Sequence, residues 1–483
     1  MTTRTVDAGP GGPGGRTLVR SPNPVLAVLT VMSVLGALQS SVVVPLVAHI
    51  PEIFKVSAAE ASWIVTSTVL GASIAAPVVA RMADIFGKRL IIVVTLLVIA
   101  FGSLLVAVSD TFVVAVAGRA LQGCAMALTP VAMSIAKDVL PPERVNSGIA
   151  LLSGTMGLGS ALGLPAAGLL YWLWGWHALF WVTVVLAPLL AVASWRLLPA
   201  SPPAARQRFD VFGAVLLVFV LTPLLLVVSQ GEDWGWTSPA ALIMLAVSAA
   251  ATAVWVPWQL RARTPLVDLR LAVSRRVVLT NLATAAIAGG MLANVYLASQ
   301  QLGIPRGVPG GLGLSSEMVG VVMIAPALVL IVMAPILGPL LTRFGGRGVM
   351  LSGALVMAAA YVARIWLDGS AFAVGLGAVL VGVGISLGLV AQPMIIMAAV
   401  PADYTASANG VNSLFRTVGT ALSVAAIAAV TSATSTRFEG AEYATSDTFH
   451  LAFIGCAVLM LLSALLTLLV PRGSSRADPL RSY

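Results

Sequence analysis

Apolar runs of about 18 residues or more recur along the chain from Val25 to Val470, broken by charges, Gly/Pro clusters and short polar turns. A bilayer core of ~30 Å takes about 20 such residues per helical crossing, so each run is long enough to span. Splitting the chain at its breaks predicts fourteen helices, at 25–47, 59–80, 90–108, 112–136, 147–170, 178–198, 211–229, 239–258, 277–302, 318–340, 349–366, 371–400, 408–431 and 449–470. The runs are continuous, whereas a membrane barrel would show short alternating segments. Backbone that faces lipid must satisfy its own hydrogen bonds, which makes the expected fold class an all-α polytopic membrane protein.

The composition agrees, with 59% hydrophobic and only 9% charged residues. The net charge of +9 would suggest nucleic acid in a soluble chain, but its distribution here gives another reason. With fourteen helices, twenty-one of the 27 basic residues fall in loops on one side; Lys55, Arg306, Arg364 and Arg437 fall on the other, and Arg119 and Arg416 lie within helices. The positive-inside rule then places both termini in the cytoplasm, and no nucleic-acid partner is expected. Residues 1–24 are polar and rich in Gly and Pro, without a cleavable signal, and read as a disordered cytoplasmic tail; 471–483 read as a second. Arg-rich, Lys-poor usage with much Ala, Gly and Val fits a GC-rich bacterial genome, hence a bacterial inner (plasma) membrane. Cys124 and Cys456 sit in apolar runs and read as packing residues, with no disulfide or metal spacing.

Two short echoes point to an internal repeat. Phe86-Gly87-Lys88-Arg89 after the second predicted helix returns as Phe344-Gly345-Gly346-Arg347 after the tenth, and Gly148, Thr155 and Gly157 return as Gly410, Thr417 and Gly419. This divides the chain into a six-helix half at 25–198, a linker with two extra helices at 199–276, and a second six-helix half at 277–470.

The sharpest motif is Ala80-Arg81-Met82-Ala83-Asp84-Ile85-Phe86-Gly87-Lys88-Arg89. Gly87 permits a tight turn, Lys88 and Arg89 hold it on the cytoplasmic side, and Asp84 ends a helix where the dipole disfavours an acid. Such an acid needs a partner elsewhere, a neighbouring helix N-terminus or an Arg; a solvated turn is the alternative. The run resembles the loop signature of the major facilitator superfamily, G-x-x-x-D-x-x-G-[RK]-[RK], with Ala80 in place of the leading Gly. Trp63, Thr66 and Pro77, the Phe209-Asp210-x-x-Gly213 run and Pro265-Leu266-Val267-Asp268-Leu269 look like the fourteen-helix drug:proton antiporter family within it. The resemblance implies a major facilitator fold, multidrug efflux, and a latch from Asp84 to the start of the thirteenth predicted helix near Ser407–Asn409.

Gly118-Arg119-Ala120-Leu121-Gln122-Gly123 is similar to the family's R-x-x-Q-G element. An Arg this deep in an apolar run costs about 2.5–3.5 kcal/mol even on the mildest scale, so it must face the protein interior or a watery cavity. The family implies proton relay or substrate contact for Arg119, with Gln122 on its face; a structural Arg that satisfies carbonyls at a helix crossing is the alternative. The Gly-rich fifth predicted helix, with Gly159, Gly163 and Pro165, resembles the antiporter motif G-x-x-x-G-P-x-x-G-G with Pro one place late. Small residues let helices approach, and Pro can bend one near a gate.

Helix 1 departs from the family pattern L-D-x-T-x-V-N, because Gln39 replaces the acid and Val44 the Asn. None of the 18 carboxylates lies near a bilayer midplane. Proton coupling would have to use Asp84, Glu60, Glu317 or a His at a helix end, or be absent. An Arg without an acid favours neutral or anionic amphiphiles over cationic dyes. The resemblance implies that predicted helices 1, 4, 9 and 12 line a central cavity, where the candidates are Gln39, Arg119, Gln122, Met126, Asn281, Asn294, Gln301, Gln392 and Met394; drug-sized pockets are mostly apolar with few polar groups. The stripe Asn409, Asn412, Ser413 and Arg416 reads as gate or interhelical hydrogen bonding. No Walker loop, H-E-x-x-H or G-x-S-x-G is present, and no cofactor or metal is expected. The function expected is a monomeric secondary transporter that exports amphiphilic small molecules in exchange for protons, not an enzyme; a proton-independent facilitator or metabolite exporter is the rival, and a membrane enzyme or receptor is disfavoured.

Overall fold

The structure, a computed structural model, describes residues 22–200, 208–235, 237–308, 311–401, 404–433, 435–438 and 441–471. The two tails expected at 1–24 and 471–483 therefore lie almost wholly outside the described residues. Helix α1 (Pro22–Ser41) leads through a 3-10 turn (Val44–His49) and two short helices, α2 (Ile50–Phe54) and α3 (Ala58–Ala61), into α4 (Trp63–Phe86). Next come α5 (Lys88–Val108), α6 (Phe112–Gln122), a 3-10 segment (Gly123–Ala127), α7 (Leu128–Val139), α8 (Pro142–Trp174) and α9 (Ala178–Leu197). A pair, α10 (Val211–Trp234) and α11 (Pro239–Arg261), and the short α12 (Leu269–Ala272) precede a second group. That group is α13 (Arg275–Gly303), α14 (Ser316–Ala363), α15 (Ala371–Met397), α16 (Thr405–Ala433) and α17 (Ser446–Leu469).

Among the described residues, eleven helical segments are long and apolar enough to cross a membrane, with Met318–Ala363 counted once. The tenth and eleventh predicted helices thus run together, but Gly345 between them has φ 68° and ψ 165°, far from helical. The fourth predicted helix is instead interrupted, by the 3-10 turns at Gly123–Ala127. An antiparallel hairpin of β1 (Ser435–Phe438) and β2 (Ala441–Ala444), with Ser435 opposite Ala444, corrects the all-helical expectation locally. Four-residue strands carry too little periodicity to stand out in so apolar a sequence.

Local chemistry sets the helix ends. Ser57 and Glu60 form a capping box at α3, and Ser238 accepts from Ala241 N–H at the start of α11. The α4–α5 turn passes through Gly87 at φ 99°, a conformation that disfavours side chains. Each helix group has its own core, built on Leu29, Met32, Leu96 and Leu152 in the first and on Ile287, Met357, Tyr361 and Phe453 in the second. Large apolar side chains such as Phe101, Leu189 and Val458 are exposed on the perimeter, as lipid-facing residues are.

The α10–α11 pair rests on the seam between the groups. Leu217, Leu221, Leu225 and Trp255 pack with Leu70 and Val78 of α4 and with Val411, Leu414 and Phe415 of α16. Asp210 ties the pair together: Oδ1 accepts from Gly213 N–H (2.8 Å) and Trp258 Nε1 (3.0 Å), and Oδ2 from Gln259 Nε2 (2.9 Å) and Leu266 N–H (3.3 Å). Asp210→Ala removes a helix cap and unpairs three further donors, so we expect a loss of about 2–4 kcal/mol. Thermal unfolding in detergent should show a transition several degrees lower, together with faster proteolysis at the α9–α10 connection. An unchanged transition would mean that apolar packing alone holds the pair.

Candidate functional site

A cavity of about 290 Å³ lies where α1, α7, α13, α14, α15 and α16 meet. Its wall is mostly apolar, with Met126, Met291, Met323, Leu330, Ile385 and Leu389, and its polar groups are Thr129, Asn294, Ser386 and Arg416. Arg416 is the one charged residue among the described residues of this lining. Flexible methionines adapt to varied apolar shapes, and the guanidinium adds a fixed positive charge to the described lining.

Asn294 is fixed from behind. Its Nδ2 donates to Ala378 O (3.1 Å), and its Oδ1 accepts from Arg364 Nη1 (2.9 Å). Arg364 is fully buried, with its guanidinium carbon 4.3 Å from the centre of the Phe453 ring. The charge pattern of the sequence places Arg364 among the outer loop charges. That is corrected, because it caps α14 inside the second group and shows no solvent-facing charge. The charge count could not distinguish a helix-end Arg that turns inward from one in a loop.

Of the sequence candidates for the cavity, Met126 and Asn294 line it. Arg416, read from sequence as a gate or interhelical residue, also lines it, and its Nη2 donates to Ser413 Oγ (3.3 Å). Asn281 faces α16 instead: Asn412 Nδ2 donates to Asn281 Oδ1 and to Thr284 Oγ1, both at 2.9 Å. Gln301 is buried in α13 away from the cavity lining, and Met394 packs against the second core. Gln392 lines a smaller chamber that shares Thr129, Leu389 and Arg416 with the cavity. Met291 and Met323 were missed; Met291 stands three residues before Asn294, on the same helical face, and that spacing was the available signal.

Gln39, Arg119 and Gln122 form one network away from the cavity lining. Arg119 Nη1 donates to Gln122 Oε1 (2.6 Å) and Gln39 O (3.2 Å), Nη2 to Gln39 O (3.1 Å), and Nε to Ile64 O (3.3 Å). Gln122 Nε2 donates to Ser103 Oγ (2.8 Å) and Gln39 Nε2 to Thr183 Oγ1 (2.9 Å). These groups join α1, α4, α5, α6 and α9, and all three residues are buried. In this conformation the Arg119 guanidinium meets carbonyl oxygens, not open space.

Lys88, Arg89, Lys137, Arg144, Arg343 and Arg347 lie at one end of the bundle, here termed the basic end. There Asp84 accepts from Ser407 N–H (2.8 Å, Oδ2) and Ala406 N–H (3.3 Å, Oδ1), at the start of α16. The positive end of the helix dipole and its unpaired N–H groups suit a carboxylate. Further contacts join the groups there: Lys137 Nζ donates to Met397 O (2.6 Å), Ser134 and Thr405 share a hydrogen bond (2.6 Å), and Arg81 lies 4.7 Å over the Tyr404 ring. Lys88 pairs with Asp138 (2.5 Å), while Arg89 stacks on Trp195 at 4.5 Å and donates to Leu198 O (3.4 Å). Gly159 and Gly163 are buried in α8; a Cβ at Gly159 would come within 2.9 Å of Leu38 N, so α8 and α1 touch through backbone. Pro165 lies within α8, and its side chain is outside the described set.

Glu60, one candidate proton site, is exposed, and the Ser57 N–H and hydroxyl, both 2.8 Å from Glu60 Oε2, hold its carboxyl below the usual range. That group stays ionised at neutral pH, which does not suit a proton carrier. The Glu317 side chain lies outside the described residues.

The chain matches the family model of the Major Facilitator Superfamily over residues 29–311 and 277–482. It is 25% identical over 407 residues to the multidrug resistance protein Stp of Mycobacterium tuberculosis, covering 83% of this chain and 74% of that protein. It is 31% identical over 424 residues to a triacylglyceride transporter of Mycolicibacterium smegmatis, covering 82% of this chain and 73% of that one. Among solved structures, the human organic anion transporter MFSD10 (TETRAN) aligns with a TM-score of 0.65 at 17% identity, over 93% of this chain and 100% of that chain, a likeness of fold. The helical fold, the two groups about a central cavity and the family match agree: the chain is a multi-pass membrane transporter of the Major Facilitator Superfamily, not an enzyme.

Proposed function

We propose that this protein exports neutral or anionic amphiphilic small molecules across a bacterial plasma membrane by alternating access, as a member of the fourteen-helix drug:proton antiporter family. The observation that carries this is the central cavity, whose described lining has three methionines, few polar groups and one cation. In this reading there are fourteen spans: α8 and α16 cross, and α14 is two helices joined at Gly345. The basic end is cytoplasmic under the positive-inside rule. Residues 25–198 and 277–470 are then the two rocking halves, with the α10–α11 pair on their seam. Contacts of Asp84, Lys137 and Ser134 with 397–407 close the cytoplasmic side, so the conformation is cytoplasm-closed. The names of the relatives, a multidrug resistance protein and a triacylglyceride transporter, support apolar or amphiphilic cargo.

Export is in exchange for protons in this reading, with Asp84 the carboxylate best placed to link protonation to closure. A second reading, proton-independent facilitation, is favoured by the cavity lining, which carries no carboxylate among its described residues. Efflux of neutral, anionic and cationic amphiphiles from proteoliposomes, with and without an imposed pH gradient, separates them. We expect gradient-driven export of neutral or anionic compounds. Gradient-insensitive movement would establish a facilitator, and preference for cations would overturn the cavity argument.

A further inference from the structure

Below the main cavity, towards the basic end, a chamber of about 20 Å³ is lined by residues of both helix groups, with Ser153 on one side and Gln392, Asn409 and Arg416 on the other. Gln392 and Asn409 are 1% and 3% exposed, and both polar atoms of each side chain lack a hydrogen-bond partner; Ser153 Oγ lacks one as well. Leaving a buried polar group unmade is unfavourable by about 1–3 kcal/mol; of these five atoms Gln392 Nε2, Asn409 Nδ2 and the Ser153 hydroxyl can donate, so the void offers three unmade donors to an acceptor-bearing occupant, while the two amide oxygens need a donor such as water. By volume the chamber takes roughly one or two oxygen-sized atoms. Its described polar lining consists of three amides, three hydroxyls and a guanidinium, with no carboxylate among the described lining residues. Arg416 borders both spaces, so a molecule whose apolar part lies along Met126 and Leu389 can place its end group beside the guanidinium.

We propose that this chamber is a head-group subsite for an oxyanion, best matched by a carboxylate. Its two oxygens would accept from Gln392 Nε2, Asn409 Nδ2 and Arg416, while the apolar chain fills the methionine-lined cavity. The inference rests on the reading of the cavity as an amphiphile site and narrows it to anionic monocarboxylates. A carboxylate accepts charge-assisted hydrogen bonds at every donor offered, a trimethylammonium head accepts none, and an alcohol takes up one or two.

The test uses the full-length protein in lipid nanodiscs, with empty nanodiscs as the blank, and three probes that share a twelve-carbon chain: laurate, 1-dodecanol and dodecyltrimethylammonium. We expect laurate to bind at least about tenfold more tightly than the cation, as hydrogen bonds to a charged group allow. Gln392→Leu and Asn409→Leu should each weaken laurate by about tenfold and leave dodecanol within about twofold. Neither should lower the melting temperature, because each removes buried polar atoms that have no protein partner. Laurate binding unchanged in both variants would overturn the subsite and leave the chamber to water alone. A lower melting temperature with equal losses for all three probes would overturn it in favour of a structural role. Failure of the wild-type protein to bind any of the three would instead overturn the amphiphile reading, and the subsite with it.

Discussion

Replacing Arg119 with alanine should lower the melting temperature of the purified protein by on the order of 10 °C, taking the first helix group as the unfolding unit. Arg119 is 1% exposed and donates to Ile64 O, Gln39 O and Gln122 Oε1. α1 ends at Ser41, so Gln39 O is among the last carbonyls of that helix, which have no partner within it. The guanidinium supplies that partner from α6 while gripping α4 through Ile64. Alanine would leave Gln39 O and Gln122 Oε1 buried without this donor, while Ile64 O keeps the Ser67 and Thr68 hydroxyls, and each acceptor so orphaned is unfavourable by about 1–3 kcal/mol. Arg119→Lys should recover only part of the loss, because an ammonium cannot reach three acceptors in a planar fork. Transport should fall with stability in both variants. A variant that melts like the wild type yet does not transport would return Arg119 to the proton-relay or substrate role implied by the family motif.

That case marks where the sequence was legible. The membrane character and most helix positions follow from runs of apolar residues, a signal set by bilayer thickness and independent of packing. Which way a polar residue points within such a run is a different matter. A soluble helix shows its buried face by alternation with polar residues, but a membrane helix is apolar all round, so the position of Gln39, Arg119 or Asn281 carries no facing information. Interior is predictable for each, because lipid is excluded as a partner. Cavity and helix crossing are both interior, and only packing separates them. Asn294 and Arg416 reach the cavity, while Asn281 and Gln39 bond to neighbouring helices. Arg364 shows the same limit at a helix end, where a short displacement turns a loop charge into a buried prop for Asn294. The Asp84 contact was more legible, since an acid at the wrong end of its own dipole narrows the choice of partners to a helix start or a cation.

Asp84→Asn is expected to slow export about tenfold or more while leaving the melting temperature within a few degrees of the wild type. The carboxylate is 8% exposed and offers one oxygen each to Ser407 N–H and Ala406 N–H. An amide has a single acceptor oxygen and no charge, so one of these bonds is lost and the other ceases to be charge-assisted. Hydrogen bonds to charged groups contribute about 1.5–3 kcal/mol, equivalent to a shift of about 10–150-fold in the ratio of closed to open cytoplasmic ends. The fold should tolerate the change, because Lys137 with Met397 O and Ser134 with Thr405 still join the same surfaces. Met133 lines the chamber just inside this closure, so a cysteine there reports opening. With Cys124 and Cys456 replaced by alanine, Met133→Cys should react slowly with a water-soluble maleimide when Asp84 is intact, and about tenfold faster when Asp84→Asn is added. Equal labelling rates with normal export would show that Asp84 only shapes the turn before Gly87, and that closure rests on Lys137 and Ser134.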